Sequence, residues 1–303
     1  MKIFSIIVTY NAMEWLDKCL FSLRQSTIPT IPVIIDNCST DATISHIKSN
    51  YPEVILFEQK QNLGFGKGNN VGIEYAIKED ADFVLLLNQD AWIEKDMIEK
   101  LLAHNDYNSL LSPIHLNGSG EFLDPNFRKN SILNNINNSL VDDLFLQKNK
   151  KKYQVEYVNA ACWLLPVVVA KKIGGFNPLF FQYGEDNNYL QRLKYHNILV
   201  FVIADTFVFH DRKMYGNKKM YDKNKIYRNL LMIKTNINNT RRTRFVENSK
   251  CFIVEIYTCF TGRTIRPLFT FMSAKIKLFF QYDTIKKSIK AEKQIGFTWL
   301  NNN

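Results

Sequence analysis

Cysteine is scarce in this chain: five among 303 residues, an odd number with no Cys-x-x-Cys pair. That excludes a disulfide scaffold and suits a reducing compartment. Long apolar runs are missing too. No stretch reaches the ~20 uncharged apolar residues that a transmembrane helix needs, so none is expected. No secretory leader is expected either, because Ile3 to Val8 is too short a run and the turn-like Thr9-Tyr10-Asn11 follows at once. No internal repeat is evident. Overall disorder is excluded by an ordinary apolar content of 46% and by 13% aromatics. What remains is a chain long enough for one large α/β domain with an appendage, or for two small domains.

The net charge of +10 is unevenly spread. Residues 211–303 carry 20 Lys and Arg against 6 Asp and Glu, whereas the rest holds 19 basic and 23 acidic residues. A slightly acidic body therefore bears a strongly basic tail, which points to an anionic partner: a membrane surface, nucleic acid or a phosphorylated substrate.

The first 105 residues alternate strand and helix signals. Phe4 to Val8, Pro32 to Ile35, Val54 to Phe57 and Phe83 to Leu87 are short, continuous, β-branched or leucine-rich runs. Between them, helices are predicted over Glu14 to Gln25, from the cap at Ser39-Thr40-Asp41 to about Ser49, and from the Gly/Asn-rich loop Asn62 to Asn70 through Ile77. Continuous apolar strands between helices imply a parallel sheet covered on both faces. The Asn-, Ser- and Lys-rich span Asn117 to Lys152 reads as a surface excursion. A strand over Val155 to Leu165, a short helix over Val167 to Lys172 closed by Gly174-Gly175, a helix over Glu185 to His196 and a strand over Leu199 to Phe209 follow. Beyond Asp211 the chain is basic and aromatic-rich, with helical spacing at Ile226, Leu230 and Ile233.

In an open parallel sheet, ligands bind outside the carboxyl ends of the strands. Three such ends here carry polar side chains: Thr9-Tyr10-Asn11, Asp36-Asn37 and Asn88-Gln89-Asp90. Asp and Asn also favour turns on their own account. Asp90 is a candidate ligand for a hard divalent cation, which binds through one or two carboxylates plus substrate phosphates; the competing role is a cap for a helix near Glu94. The G-x-G-x-G spacing at Gly64, Gly66 and Gly68 is neither a dinucleotide fingerprint nor a Walker loop, but it admits close approach by a sugar or phosphate. Glu185 and Asp186, adjacent at a helix start, offer a general base or simply complement the helix dipole. His210, closing a strand, is a structural histidine or completes a metal site built by Asp90.

Taken together, Ser5 to Asn11, Ile34 to Asp41, Asn62 to Gly66 with Gly68-Asn69-Asn70, Leu87 to Ala91, Gly174-Gly175-Phe176 and Phe180-Phe181 with Tyr183 to Asp186 resemble family 2 glycosyltransferases of the GT-A fold, particularly the rhamnosyltransferase-like branch. The resemblance covers roughly residues 3–212 in order. It implies an α/β fold with a Rossmann-like donor half (1–105) and a mixed acceptor half (106–212), followed by a basic helical extension over 213–303. It also implies an inverting enzyme that uses a UDP-, dTDP- or GDP-sugar with Mg2+ or Mn2+. Thr9, Tyr10, Asn11 and Asp36 fall where the family holds nucleobase and ribose, and Asn62, Gly64 and Asn70 line its donor pocket. Asn88 stands at the first acid of the family's D-x-D element and Asp90 at its metal-binding end. Asp186, with Glu185 beside it, matches the catalytic base, and His210 falls where some members place a further metal ligand. The sequence departs from the pattern at Asn88, a replacement of the first D-x-D acid that is common in this branch, and at Asn188, where an acid often follows the Glu-Asp pair.

The expected acceptor is a glycan or lipid-linked glycan in O-antigen or capsule assembly. The expected location is cytoplasmic, at the inner face of the plasma membrane, with the basic aromatic tail against anionic lipid or packed on the domain. Two other readings compete. A metal-dependent nucleotidyltransferase would want a Gly/Lys/Arg-rich phosphate loop after the first strand, and Thr9-Tyr10-Asn11-Ala12 has none. A non-enzymatic nucleic-acid-binding protein would spread its charge over one folded face; no nucleic-acid partner is expected here.

Overall fold

The computed structural model describes residues 1–129, 140–148, 150–212 and 224–300. Its first part alternates β1 (Ile3–Thr9), α1 (Leu16–Arg24), β2 (Ile31–Asp36), α2 (Thr43–Asn50), β3 (Ile55–Glu58), α3 (Phe65–Lys78) and β4 (Phe83–Leu87). The strands pair in parallel in the order β3-β2-β1-β4. Both faces are covered, and the alternation of side chains shows why these strands read as unbroken apolar runs. Phe4, Ile6, Val33, Ile35, Val84 and Leu86 point into one core. Ile3, Ile7, Ile34, Phe83, Leu85 and Leu87 point into the other.

The second part is mixed. It comprises β5 (Ala91–Ile93), α4 (Met97–Ala103), β6 (Ser109–Asn117), α5 (Pro125–Phe127), α6 (Leu140–Phe145), β7 (Lys152–Gln154), β8 (Cys162–Pro166), α7 (Val167–Ile173), α8 (Glu185–Tyr195) and β9 (Leu199–His210). β8 joins the sheet antiparallel to β4, β6 pairs antiparallel with β8, and β9 runs parallel to β6. β5 and β7 share the far edge of β9. The strand predicted over Val155 to Leu165 is shorter than expected. After one ladder bond from Val155 N–H to the Val200 carbonyl, the chain leaves the sheet until Cys162, carrying Tyr157 and Asn159 to a cleft. Part of the expected excursion after Asn117 lies outside the described residues; the rest includes α5 and α6.

The Gly/Asn-rich segment differs from its reading as a loop. α3 already begins at Phe65, and Gly64, at φ +80°, is the turn before it, backed against the Phe181 backbone. Helical glycine costs about 1 kcal/mol relative to alanine. Here it allows close packing, because a Cβ at Gly68 would stand 2.9 Å from Val8 Cγ1 and one at Gly72 would collide with Ile6.

The basic extension folds back on the domain. α9 (Lys225–Thr235), α11 (Arg266–Phe280) and α12 (Tyr282–Glu292) share a small core of Ile226, Leu230, Phe271, Leu278 and Ile285 that also takes in Phe180, and α10 (Arg241–Gly262) packs on it through half-buried Cys251. Buried Glu292 accepts from the side chains of Asn177 and Asn188, each at 2.7 Å. Leu300 then enters the main core, and the Thr298 carbonyl accepts from Gly175 N–H.

Candidate active site

The carboxyl ends of β1 and β4 open on one cavity of about 950 Å³. Thr9, Tyr10, Asn62, Gly64, Asn88 and Asp90 lie on its walls together with Glu185, Asp186 and His210. The two strand-end loops are tied to each other: Tyr10 N–H donates to Gln89 Oε1 over 2.7 Å, and the Gln89 amide donates to the Tyr10 carbonyl over 3.3 Å.

Three of the residues assigned to donor binding lie off the wall. Asp36 is fully buried and takes Thr9 Oγ1 at 2.9 Å and the Ser39 N–H and hydroxyl at 2.8 and 2.5 Å, so it shapes the turn after β2. Asn11 is exposed, at φ +50°, and its Oδ1 accepts from Thr40 N–H, stitching the β1 and β2 turns together. Asn70 does not line the pocket as expected. Its amide donates to the Phe176 carbonyl at 2.9 Å and accepts from Phe176 N–H at 2.6 Å, clamping α3 to the turn after α7. That turn has no hydrogen-bond ladder of its own, which is why it takes a buried side-chain amide.

Asp90 and His210 meet across the β5–β9 edge. Asp90 Oδ1 stands 3.3 Å from His210 Nε2, and the Asn88 amide also reaches that nitrogen at 3.3 Å. Behind the ring, Nδ1 lies 3.2 Å from Oδ2 of buried Asp124, which also holds Arg212 Nε at 2.6 Å and caps α5. Burial alone would lower the His210 pKa, but the negative carboxylates of Asp124 and Asp90 beside its two nitrogens prevail and raise it. Burial would raise Asp124, but His210, Arg212 and the Phe127 N–H hold it well below the carboxylate range. The donor set fits a hard divalent ion. It offers a cavity-facing carboxylate, a buried Asn88 Oδ1 without a partner and an imidazole backed by a second carboxylate. Among the described residues no three His, Cys, Asp or Glu are placed to hold a metal alone, so substrate oxygens would have to complete the shell.

Elsewhere on the lining, Gly184 at φ +95° turns the chain into α8 and sets Glu185 and Asp186 in its first turn, where the helix dipole favours negative charge. Tyr157 Oη donates to Asp186 Oδ2 at 2.8 Å, and Asn187 N–H donates to Oδ1 at 2.7 Å. Glu185 is buried, and its Oε2 has no partner. Desolvation raises both carboxyls, Glu185 further through the charge of Asp186. Like charges on neighbouring buried carboxyls disfavour ionising both. The donors around Asp186 favour its charged form, whereas nothing donates to Glu185 Oε2 and burial holds that carboxyl toward the neutral acid.

The sequence reading missed other wall residues. Tyr157 and Asn159 come from a stretch read as strand, and both amide atoms of buried Asn159 lack partners. Arg212, and Lys225, Arg228 and Asn229 on α9, bring the basic extension into the cleft. Their signal was the positive charge of the stretch beyond Asp211, which points to an anionic partner but marks no one of its residues.

An open, half-parallel sheet with a carboxylate-bearing cleft at its carboxyl edge, closed by antiparallel strands and a helix that presents two acids, is the GT-A glycosyltransferase architecture. The sequence profile of Glycosyl transferase family 2 matches residues 5–174, more than half the chain, and the chain belongs to that family. It is 29% identical over 199 residues to the low-salt glycan biosynthesis hexosyltransferase Agl10 of Haloferax volcanii, a match covering 64% of this chain and 62% of that protein. The dTDP-rhamnosyl transferase RfbF of Shigella flexneri is 22% identical over 207 residues, or 67% of each chain. The fold resembles that of GalNAc-T7 crystallised with UDP, GalNAc and Mn2+, with a TM-score of 0.61 at 13% identity, covering 78% of this chain and 48% of that one.

Proposed function

We propose that this chain transfers a sugar, with inversion, from a nucleoside-diphosphate sugar to a hydroxyl of a glycan or lipid-linked glycan in cell-surface polysaccharide assembly. One observation carries the reading: Asp90 and Asp186, distant in sequence, face the same cavity. The nucleotides named with the relatives, dTDP and UDP, support the donor class.

In this reading Thr9, Tyr10, Asn62 and Gly64 receive the nucleoside, with Asp36 and Asn11 holding the turns that shape its berth. Asp90, with His210 and Asn88 beside it, would hold Mg2+ or Mn2+, which when bound neutralises charge on the departing diphosphate. Asp186, ionised, accepts the proton of the acceptor hydroxyl. That oxygen attacks the anomeric carbon from the face opposite the diphosphate, the carbon–oxygen bond to the diphosphate breaks, and the nucleoside diphosphate leaves. One base suffices for a single displacement. Arg212, Lys225 and Arg228 add positive charge to a cavity that must hold a multiply charged anion. Five free cysteines suit a cytoplasmic enzyme, and a lipid-linked acceptor would bring it to the inner face of the plasma membrane.

The test is a panel of UDP-, dTDP- and GDP-sugars titrated with and without Mn2+, following nucleoside-diphosphate release. Metal-dependent binding and release with one donor class is expected. Failure of every donor to bind would overturn the reading.

A further inference from the structure

A second cavity, about 330 Å³, lies where α9, α10 and α11 meet. Three cations line it, one from each helix: Lys234, Arg244 and Lys275. Their hydrogen-bond partners are neutral. Lys275 Nζ donates to Asn248 Oδ1 at 2.8 Å, Arg244 Nη2 to the Asn236 carbonyl at 3.2 Å and Lys234 Nζ to the Leu278 carbonyl at 3.4 Å. Among the described residues none of the three forms an ion pair, and Arg244 Nε is buried with no partner at all. Burial lowers the pKa of Lys234, and the Lys275 ammonium lowers it further; burial lowers Lys275 as well. Three half-buried positive charges gathered without a carboxylate repel one another, and an anion would relieve that repulsion.

Beside Asn248, the remaining lining is apolar: Leu230, Leu278 and Phe279. Phe279 continues onto an uncovered stripe. α11 packs inward through Pro267, Phe271, Ala274 and Leu278. Its residues Phe269, Met272, Ile276 and Phe279 lie roughly 150° round the helix from that face, and Phe269 and Phe279 are 68% and 73% exposed. A helix apolar on both sides is ordinarily buried on both. Neighbouring α10 has no buried residue, and it exposes Ile253, Tyr257 and Phe260 at helical spacing. Residues 241–292 hold eleven Lys and Arg against four Asp and Glu, so the surface that would cover these stripes is anionic as well as apolar.

We propose that the α9–α11 cavity binds the phosphate of an anionic membrane lipid, with the outer faces of α10 and α11 seated in the acyl boundary beside it. The phosphate oxygens accept from Lys234, Arg244 and Lys275, and Phe279, Ile276 and Phe269 lie against hydrocarbon. This assignment does not draw on the donor-site reading, so either can fail without the other.

The test is co-sedimentation of the full chain with vesicles of phosphatidylcholine alone or with about one third phosphatidylglycerol. Binding to the anionic vesicles, released by salt, is expected. Lys234→Gln with Lys275→Gln should raise the lipid concentration for half-binding roughly tenfold or more; Lys275→Arg should retain binding. Phe269→Ser with Ile276→Ser should weaken pelleting with the anionic vesicles. Thermal melts and far-UV circular dichroism check that each variant is folded; should the double Gln variant fail to fold, Lys275→Gln alone and the salt titration of the wild type decide. Absence of pelleting, or Gln variants that pellet like the wild type, would overturn the proposal. So would thermal stabilisation by inorganic phosphate without vesicle binding, which would make this a free-anion site. A dimer dissolved by the Ser variant would make the face a self-association surface instead, and that too would overturn it.

Discussion

The Tyr157 hydroxyl donates to the Asp186 carboxylate over 2.8 Å from a segment that has left the sheet. Desolvation raises Asp186, and this hydrogen bond opposes the rise. A base works only when ionised, so kcat/KM should fall as pH drops through the raised value, above the ordinary carboxylate pKa of ~4. Tyr157→Phe removes a lowering influence, and the acid limb of the profile should move to higher pH. A limb left in place would detach Tyr157 from the base.

The neighbouring carboxyls should respond unequally. Asp186→Asn should cut turnover by about 10²–10⁴-fold while donor titration stays normal. Glu185→Gln mimics the protonated form assigned to Glu185 and should keep turnover within a few-fold. The reverse order, measured in the same nucleotide-release assay, would exchange their roles.

Asp90→Ala should abolish the difference between donor affinities measured with and without Mn2+. Calorimetric titration reads this directly. Because no described set of three acidic, His or Cys side chains holds an ion alone, metal without donor should bind weakly even in the wild type.

Asn70→Ala removes both partners of the buried Phe176 backbone. Leaving such groups unsatisfied costs about 1–3 kcal/mol each, so the urea midpoint should fall clearly. Donor affinity at a temperature where the variant is folded should be nearly unchanged. A selective loss of donor binding would return Asn70 to the pocket.

The parallel half was legible because burial on both faces leaves continuous apolar runs, as in Ile3–Thr9 and Phe83–Leu87. The strand-end residues Thr9, Asn88 and Asp90 followed from topology alone. The start of α3 was hidden because glycine reads as a loop signal, whereas here it permits contact between helix and strand. Asp124, which stands behind His210, sits in a polar stretch where nothing marks one Asp from another, and only the fold brings it within 3.2 Å of the ring. Tyr157 was masked by a strand-like run. The extension kept its two readings because helical apolar spacing looks the same whether a helix packs on protein or on lipid; α11 does the first through Phe271 and leaves Phe269 uncovered.

The contacts of Glu292 with Asn177 and Asn188, and of Thr298 and Leu300 with the main domain, bear on how the protein matures. Asn188 belongs to α8, the helix that presents Asp186, and its buttress arrives about a hundred residues later in the chain. A ribosome must therefore translate past Glu292 before that helix gains this support, so a nascent chain stalled earlier would carry Glu185 and Asp186 yet lack the brace behind their helix.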